Sequence, residues 1–382
     1  MPIGTANGTW LIGGTQPNTA VAPALISSAL TWERIRTWNV GADIGLFGNR
    51  LTASFDYFTR FTNDMVGPAV ELPAILGTTV PPSNNTDLKT YGFEFDLKWQ
   101  DRLKNDLGYN IHLILSDSKT QIINYPNPTG NLSTYRSGTM VGDIWGYETV
   151  GIAKTQGEMD SHLASLPKGG QNALGNTWRM GDIMYKDVNG DGKIDPGSLT
   201  TDNHGDLIVI GNSTPRYSFG VDLSLDWKGF DVRGFFQGVG KRDYFRGGSP
   251  FFGASGQVWW STAYVQHLDY FRSDAAGPLG LNLDSYYPRP LFNTTKNQNP
   301  QTRFVQDASY IRLKNVQLGY TLPQKISQKA KIQKLRVYVS GENVLTLTKM
   351  SKVFDPETVD GGYNGAVYPL FKRISFGTSI TF

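Results

Sequence analysis

Phe371-Lys-Arg-Ile-Ser-Phe-Gly-Thr-Ser-Ile-Thr-Phe382 alternates at every step. Lys372, Ile374, Phe376, Thr378, Ile380 and Phe382 share one face. Phe371, Arg373, Ser375, Gly377, Ser379 and Thr381 share the other. Successive side chains of a strand point to opposite faces, so this is a strand with a greasy face and a polar face.

Eight more segments carry the same alternation: Thr37–Leu46, Arg50–Phe61, Tyr91–Gln100, Leu107–Ser118, Arg216–Trp227, Phe230–Gly240, Tyr310–Leu322 and Lys334–Val344. Tyr91–Gln100 is the cleanest, with Tyr91, Phe93, Phe95, Leu97 and Trp99 against Gly92, Glu94, Asp96, Lys98 and Gln100. Most exceed the usual five or six residues of a globular strand and match the roughly 9–11 that cross a bilayer at a tilt. The connections alternate too. Phe47–Asn49, Asp101–Asp106 and Lys228-Gly229 are short, whereas Thr62–Thr90, Lys119–Pro215, Lys241–Ser309 and Leu345–Leu370 are long. Short turns on one side and long loops on the other are the pattern of outer-membrane barrels, so the last strand is expected to run inward to the periplasm. The apolar faces then meet lipid, and Asp43, Asp56, Glu94, Asp96, Asp222 and Asp226 face a wet lumen. A soluble sandwich also alternates, but strand length and loop rhythm argue against it.

Composition agrees. Forty-three Gly and 20 Pro make a chain rich in turns, and the many aromatics favour strands. The absence of Cys removes disulfides, thiolate metal sites and thiol catalysis together. The net charge of +3 is spread along the chain, with no basic block that argues for nucleic acid. No run approaches the roughly 18 apolar residues of a membrane helix; Ala20–Leu30 comes nearest. The amino terminus has no signal peptide pattern.

Nine strands leave an odd count, and an open sheet cannot leave two unpaired edges in hydrocarbon. The expectation is an all-β fold, a partial antiparallel transmembrane β-barrel: residues 36–382 as the carboxy-terminal part of a larger barrel, and residues 1–35 as a loop segment or boundary.

Several motifs resemble one family. They are Leu30-Thr-Trp-Glu33 with Asn39-Val-Gly-Ala-Asp43, Arg50-Leu-Thr-Ala-Ser-Phe-Asp-Tyr-Phe58 with Thr62-Asn-Asp-Met65, and Gly181-Asp-Ile-Met-Tyr-Lys-Asp-Val-Asn-Gly-Asp-Gly-Lys-Ile-Asp195. Ile210-Gly-Asn-Ser-Thr-Pro-Arg-Tyr-Ser-Phe-Gly220, Tyr310-Ile-Arg-Leu-Lys-Asn-Val-Gln-Leu-Gly-Tyr320, Val339-Ser-Gly-Glu-Asn-Val344 and the terminal strand continue in the same order. Together they resemble the SusC/RagA-type TonB-linked outer-membrane transporters of Bacteroidetes. The resemblance implies a barrel of about 22 strands plugged by an amino-terminal domain. It also implies uptake of oligosaccharides or peptides across the bacterial outer membrane, a SusD-like surface lipoprotein as partner, and the TonB complex as energy source. The plug and TonB box have no counterpart in these residues. The barrel-assembly machinery is expected to read Phe382. The alternative is a secreted or surface-anchored carbohydrate-binding or adhesive β-protein without transport.

One loop has metal-ligand spacing. Asp187, Asn189, Asp191 and Asp195 stand at the first, third, fifth and ninth positions of an EF-hand-like loop, with Gly192 at the sharp turn and the Lys193 carbonyl at the seventh. Such oxygens suit Ca²⁺. Ser198 replaces the usual bidentate Glu, and Asp202 or Asp206 is the candidate substitute; an Asx-rich turn is the competing reading. Glu94 and Asp96 share a face but have no partner that marks a hydrolase, and the four histidines lack ligand spacing. No nucleophile elbow or phosphate-binding glycine loop is present, so no enzyme activity is expected. Trp145, Tyr147, Trp178, Trp259, Trp260, Tyr264, Tyr286 and Tyr287 lie in long loops, placed either to stack on sugars or to pack those loops.

Overall fold

The computed structural model describes residues 4–8, 10–21, 30–68, 80–254, 259, 261, 263–360, 368 and 370–382. Nine strands form one sheet: β1 Arg34–Leu46, β2 Leu51–Gly67, β3 Ser83–Arg102, β4 Gly108–Asn124, β5 Arg216–Trp227, β6 Phe230–Lys241, β7 Tyr310–Thr321, β8 Lys334–Thr348 and β9 Arg373–Thr381. Each is one of the nine expected from the alternation. Every neighbour in the sheet is also a neighbour in sequence, from β9 at one edge to β1 at the other. No described helix is long and apolar enough to cross a membrane.

The apolar face is left open. Trp38 is 67% exposed and Phe376 84%, and Val40, Ile44, Ile374 and Ile380 are exposed with them. A soluble sandwich would bury these side chains against a second sheet. Here the buried apolar residues gather in the connections instead: Tyr147, Met159, Ile183, Tyr185, Ile194, Phe251 and Phe304 are almost wholly enclosed.

The polar face neutralises itself across strands. Lys228 and Gly229 close the β5–β6 hairpin with φ of 47° and 89°, the doubly positive backbone of a tight hairpin turn. That turn sets Asp226 directly opposite Asp231. Like charges opposite one another are unfavourable, and each reaches away over a glycine. Asp226 spans Gly108 of β4 to Arg102 at 2.6 Å; Asp231 spans Gly319 of β7 to Arg336 at 2.5 Å. A Cβ on Gly319 would lie 2.3 Å from Arg336 Nη2 and 2.6 Å from Asp231 Oδ1, and Gly108 is blocked in the same way by Arg102 and Asp226. The glycines are therefore gaps through which two ion pairs cross a strand. Farther along, Asp222 pairs with Arg233 at 2.5 Å, Asp117 pairs with Arg216, and His112 Nε2 lies 2.6 Å from Asp96 Oδ2.

The chain divides into two compact units, residues 1–38, 59–90 and 120–140 in one and residues 39–58, 91–119 and 141–382 in the other. In the first, Gly4–Asn7 pairs with Asn18–Val21, Arg34 meets Asp64 at 2.6 Å, and Asn84 donates to the Thr31 and Asp64 carbonyls. The second contains residues 141–215 of the connection between β4 and β5, and the connection between β6 and β7. They hold short ladders, Asp143–Gly146 with Ile208–Asn212 and Thr149–Ile152 with Ile183–Tyr185, and one helix, α1 Gln156–Ala164. Thr155 caps α1 by accepting the Glu158 amide at 3.1 Å.

Two glycines test this account. At Gly319 the obstructing atoms are the far ends of flexible side chains, so Gly319→Ala should part the ion pair and cost no more than about 1 kcal/mol. At Gly238 a Cβ would lie 2.2 Å from the Tyr310 carbonyl, which is backbone, so Gly238→Ala should cost about 1–3 kcal/mol as β6 shifts against β7. Heat-dependent unfolding of the full-length protein in detergent reads both. Equal losses would refute the gap role of Gly319.

Candidate functional site

The long connections between β4 and β5 and between β6 and β7 are joined by a buried carboxylate. Asp182 opens the strand Ile183–Tyr185 and is fully enclosed. Its Oδ1 accepts Arg289 Nε at 2.7 Å and Asn297 Nδ2 at 2.9 Å. Its Oδ2 accepts Lys296 Nζ at 2.8 Å, Arg289 Nη2 at 2.9 Å and the Arg179 amide at 2.9 Å. Burial alone would push this carboxyl up; the donors outweigh it and hold it below the usual carboxylate range. Lys296, also buried, donates to the Asn176 and Thr177 carbonyls and lies 4.5 Å from the Trp178 ring centre. Its pKa is lowered by that burial despite Asp182. Next to the clamp, the Tyr185 hydroxyl donates to the Lys296 carbonyl at 2.6 Å, and Gln171 bridges Ile183 and Tyr185.

A second joint is aromatic. Phe251 is fully buried and touches Phe252, Tyr287, Phe304 and Phe354 with ring centres 4.8 to 6.2 Å apart. Phe354 brings in the connection after β8. The same connection is latched to β7 by Arg312, which meets Glu357 at 2.5 Å and Asp355 at 2.7 Å while Lys314 meets Glu357 at 2.8 Å.

Beside the Phe251 cluster is a cavity of about 360 Å³. Phe252, Tyr264, Leu268, Tyr287, Leu291 and Phe292 supply much of its wall, with Pro288 and Pro290 stiffening one side. His267 closes the floor. Its Nδ1 accepts the Tyr264 amide and its Nε2 donates to the Phe251 carbonyl, both at 2.9 Å, an assignment fixed by those partners. Burial pushes its pKa below the ordinary imidazole value.

The loop with metal-ligand spacing closes on its own amides. Asp187 accepts Gly190 and Gly192 N–H groups, Asn189 accepts Asp191, Asp191 accepts Lys193, and Asp195 accepts Gly197. Asp206 is buried within the loop and accepts the Val188 and Asp195 amides. Burial raises its pKa, and Asp187 adds to the rise. The Lys193 ammonium pairs with Asp195 and lies 3.9 Å from Asp191, supplying positive charge inside the loop. Among the described residues no group of three or more His, Cys, Asp or Glu side chains is arranged to hold a metal ion.

Most of the loop aromatics pack the loops. Tyr147 and Trp178 are buried around Tyr185, Trp145 lies beside His204, and Tyr286 and Tyr287 belong to the Phe251 cluster. Tyr264 lines the cavity and Trp259 is exposed; Trp260 falls outside the described residues. Phe382 follows β9 and is exposed. The Asp182 clamp and the cavity were not anticipated. Arg289, Lys296 and Asn297 lie more than a hundred residues from Asp182, and for the cavity, lined from Phe252 to Gln298, the Pro288-Arg-Pro290 stretch is the one local hint.

No family model matches the chain. Among curated proteins, TonB-dependent receptor P3 of Formosa agariphila is 28% identical over 360 residues, which cover 91% of this chain and 33% of that receptor. TonB-dependent receptor SusC of Bacteroides thetaiotaomicron is 23% identical over 94% of the chain and 33% of its own length. The solved RagAB peptide transporter matches all of the chain with a TM-score of 0.68, at 22% identity, over 38% of its own chain. The chain is similar to the SusC/RagA-type TonB-dependent receptors. It spans about a third of the length of the curated relatives it matches. Its place is the outer membrane, where the exposed apolar face of the SusC/RagA-type sheet meets lipid.

The clamp has a measurable signature. Asp182→Ala leaves the Arg289 and Lys296 cations facing a void, a loss of about 3–5 kcal/mol confined to the loops. Limited proteolysis of the full-length protein should cut the loops near residues 176 and 290 while the strands stay protected. Unchanged resistance would remove the clamp role. Because the folded pKa of Asp182 is lowered, its contribution is complete above the unfolded carboxylate pKa of about 4 and is lost as pH falls through the lower folded value.

Proposed function

We propose that this chain is part of a receptor that imports oligosaccharides or peptides across the outer membrane with energy from the TonB complex. The observation that carries the proposal is a sheet with one lipid-compatible face and one polar face with ion pairs across its strands, in a chain of which 91% aligns with TonB-dependent receptor P3. In this reading residues 36–382 belong to the barrel, residues 1–35 to a loop or boundary segment, and the polar face borders the passage. Asp96, Asp222, Asp226 and Asp231 on that face each have a partner, which weakens the field of one sign that cargo would meet. A SusD-like lipoprotein is the proposed partner over the long loops; the likeness to SusC and to the RagAB peptide transporter supports that assignment. The role proposed is transport rather than chemistry, supported by relatives named as receptors and a structural neighbour described as a transporter.

Deletion of the complete gene should abolish growth on, or uptake of, one glycan or peptide nutrient, and loss of TonB should reproduce that defect. If uptake is intact and only surface retention of glycan is lost, the adhesive reading replaces this one.

For the Asp187–Asp195 loop we propose a brace. Asp187, Asn189, Asp191 and Asp195 with the Lys193 carbonyl have the oxygen chemistry that Ca²⁺ prefers, and the buried Asp206 adds uncompensated negative charge beside them. Lys193 competes by placing an ammonium where a cation would lie. Ca²⁺ should therefore stabilise the full-length protein weakly, and Lys193→Met should strengthen the effect. No calcium-dependent shift in thermal unfolding, in either protein, would leave the loop as a set of Asx turns.

A further inference from the structure

The cavity beside Phe251 is far more apolar than the polar face of the sheet, and several of its polar side chains are already engaged. Arg289 is committed to Asp182, and Asn297 to Asp182 and the Ile183 amide. Gln298 donates to the Ala254 carbonyl at 2.6 Å, and both nitrogens of His267 are engaged. Sugar hydroxyls entering this space would lose water without gaining those partners. What remains is a partly open apolar volume of about 360 Å³, within the size range of ligand sites and lined mainly by carbon.

Resting on the import reading above, we infer that this cavity is a specificity pocket for an apolar or aromatic side chain of a peptide cargo. Of the two proposed cargo classes, only peptides carry such groups. A neighbouring cavity of about 720 Å³, which also has Tyr287 in its wall, is lined by Asp269, Arg303, Asp307, Lys349 and Lys352. Charges of both signs there suit the backbone and termini of the same peptide. The two cavities share the turn Val265–Leu268: Val265 and Gln266 face the charged one, His267 and Leu268 the apolar one.

The test is calorimetric titration of the full-length receptor in detergent with pentapeptides Ala-Ala-X-Ala-Ala, where X is Phe, Leu or Asp. The Phe and Leu peptides should bind about tenfold or more tightly than the Asp peptide. Leu268→Trp and Ala254→Leu, which fill the cavity from two sides, should erase that preference while leaving the weaker Asp-peptide binding in place. Binding independent of X, a preference that survives both variants, or no peptide binding at all overturns the pocket. A linear maltooligosaccharide that binds the parent and is lost in both variants overturns it as well. The import reading is judged separately by the uptake defect of the gene deletion, so a negative titration with a positive uptake assay removes the pocket alone.

Discussion

The constraint on which this molecule depends is that backbone amides in hydrocarbon have only one another as partners. A strand meets it by pairing along its whole length, which is why nine consecutive segments form one meander with no crossovers. Pairing fixes everything else about the sheet. With period two, one face must be apolar and the other polar, and the hairpin at Lys228-Gly229 then forces Asp226 and Asp231 into opposition. The sheet resolves that conflict without moving a strand. Gly108 and Gly319 leave openings through which Arg102 and Arg336 reach the two carboxylates. Sequence position, turn geometry and electrostatics are in this way one problem with one solution.

The loops cannot borrow that solution, because the sheet offers no buried apolar surface for them to fold against. They build an interior of their own. Phe251 gathers rings from two connections, and Asp182 gathers two cations and an amide. Burying a carboxylate is costly unless every oxygen is satisfied, and here five donors do so. The arrangement therefore stabilises the loops only when all its members are present, which makes the loop fold specific rather than merely compact. Arg312 joins this interior to the sheet by carrying Asp355 and Glu357 on strand β7.

The sheet was legible in the sequence because its determinant is local: two-residue alternation over ten or twelve positions. All nine strands stand where the alternation put them. Their ends run farther than expected toward the long loops, as at Ser83–Arg102 and Lys334–Thr348. Backbone pairing continues there through Asn84, Thr86 and Thr346, where water rather than lipid surrounds the strand and alternation of polarity is no longer required. The loop site was not legible for the opposite reason. Asp182 lies inside a recognisable motif, but nothing near it in sequence announces Arg289 or Lys296. The Asp187–Asp195 loop shows the limit of spacing alone: the oxygens are where a cation loop wants them, and Lys193 already offers its ammonium to them.

In the proposed import reading, the two folding problems also separate recognition from transport in physical terms. Strand pairing does not depend on which side chains line the loop cavity, and the cavity draws its walls from residues 252–298, none of which lies in the nine-stranded sheet. A change of side chain there alters what the pocket accepts and leaves the register of every strand untouched. A change at Gly108 or Gly319 does the reverse, disturbing the balance of charge on the polar face while the pocket keeps its shape. Cargo preference and passage are thereby carried by residues with almost no shared partners, and effects at such separated sites are expected to add rather than couple.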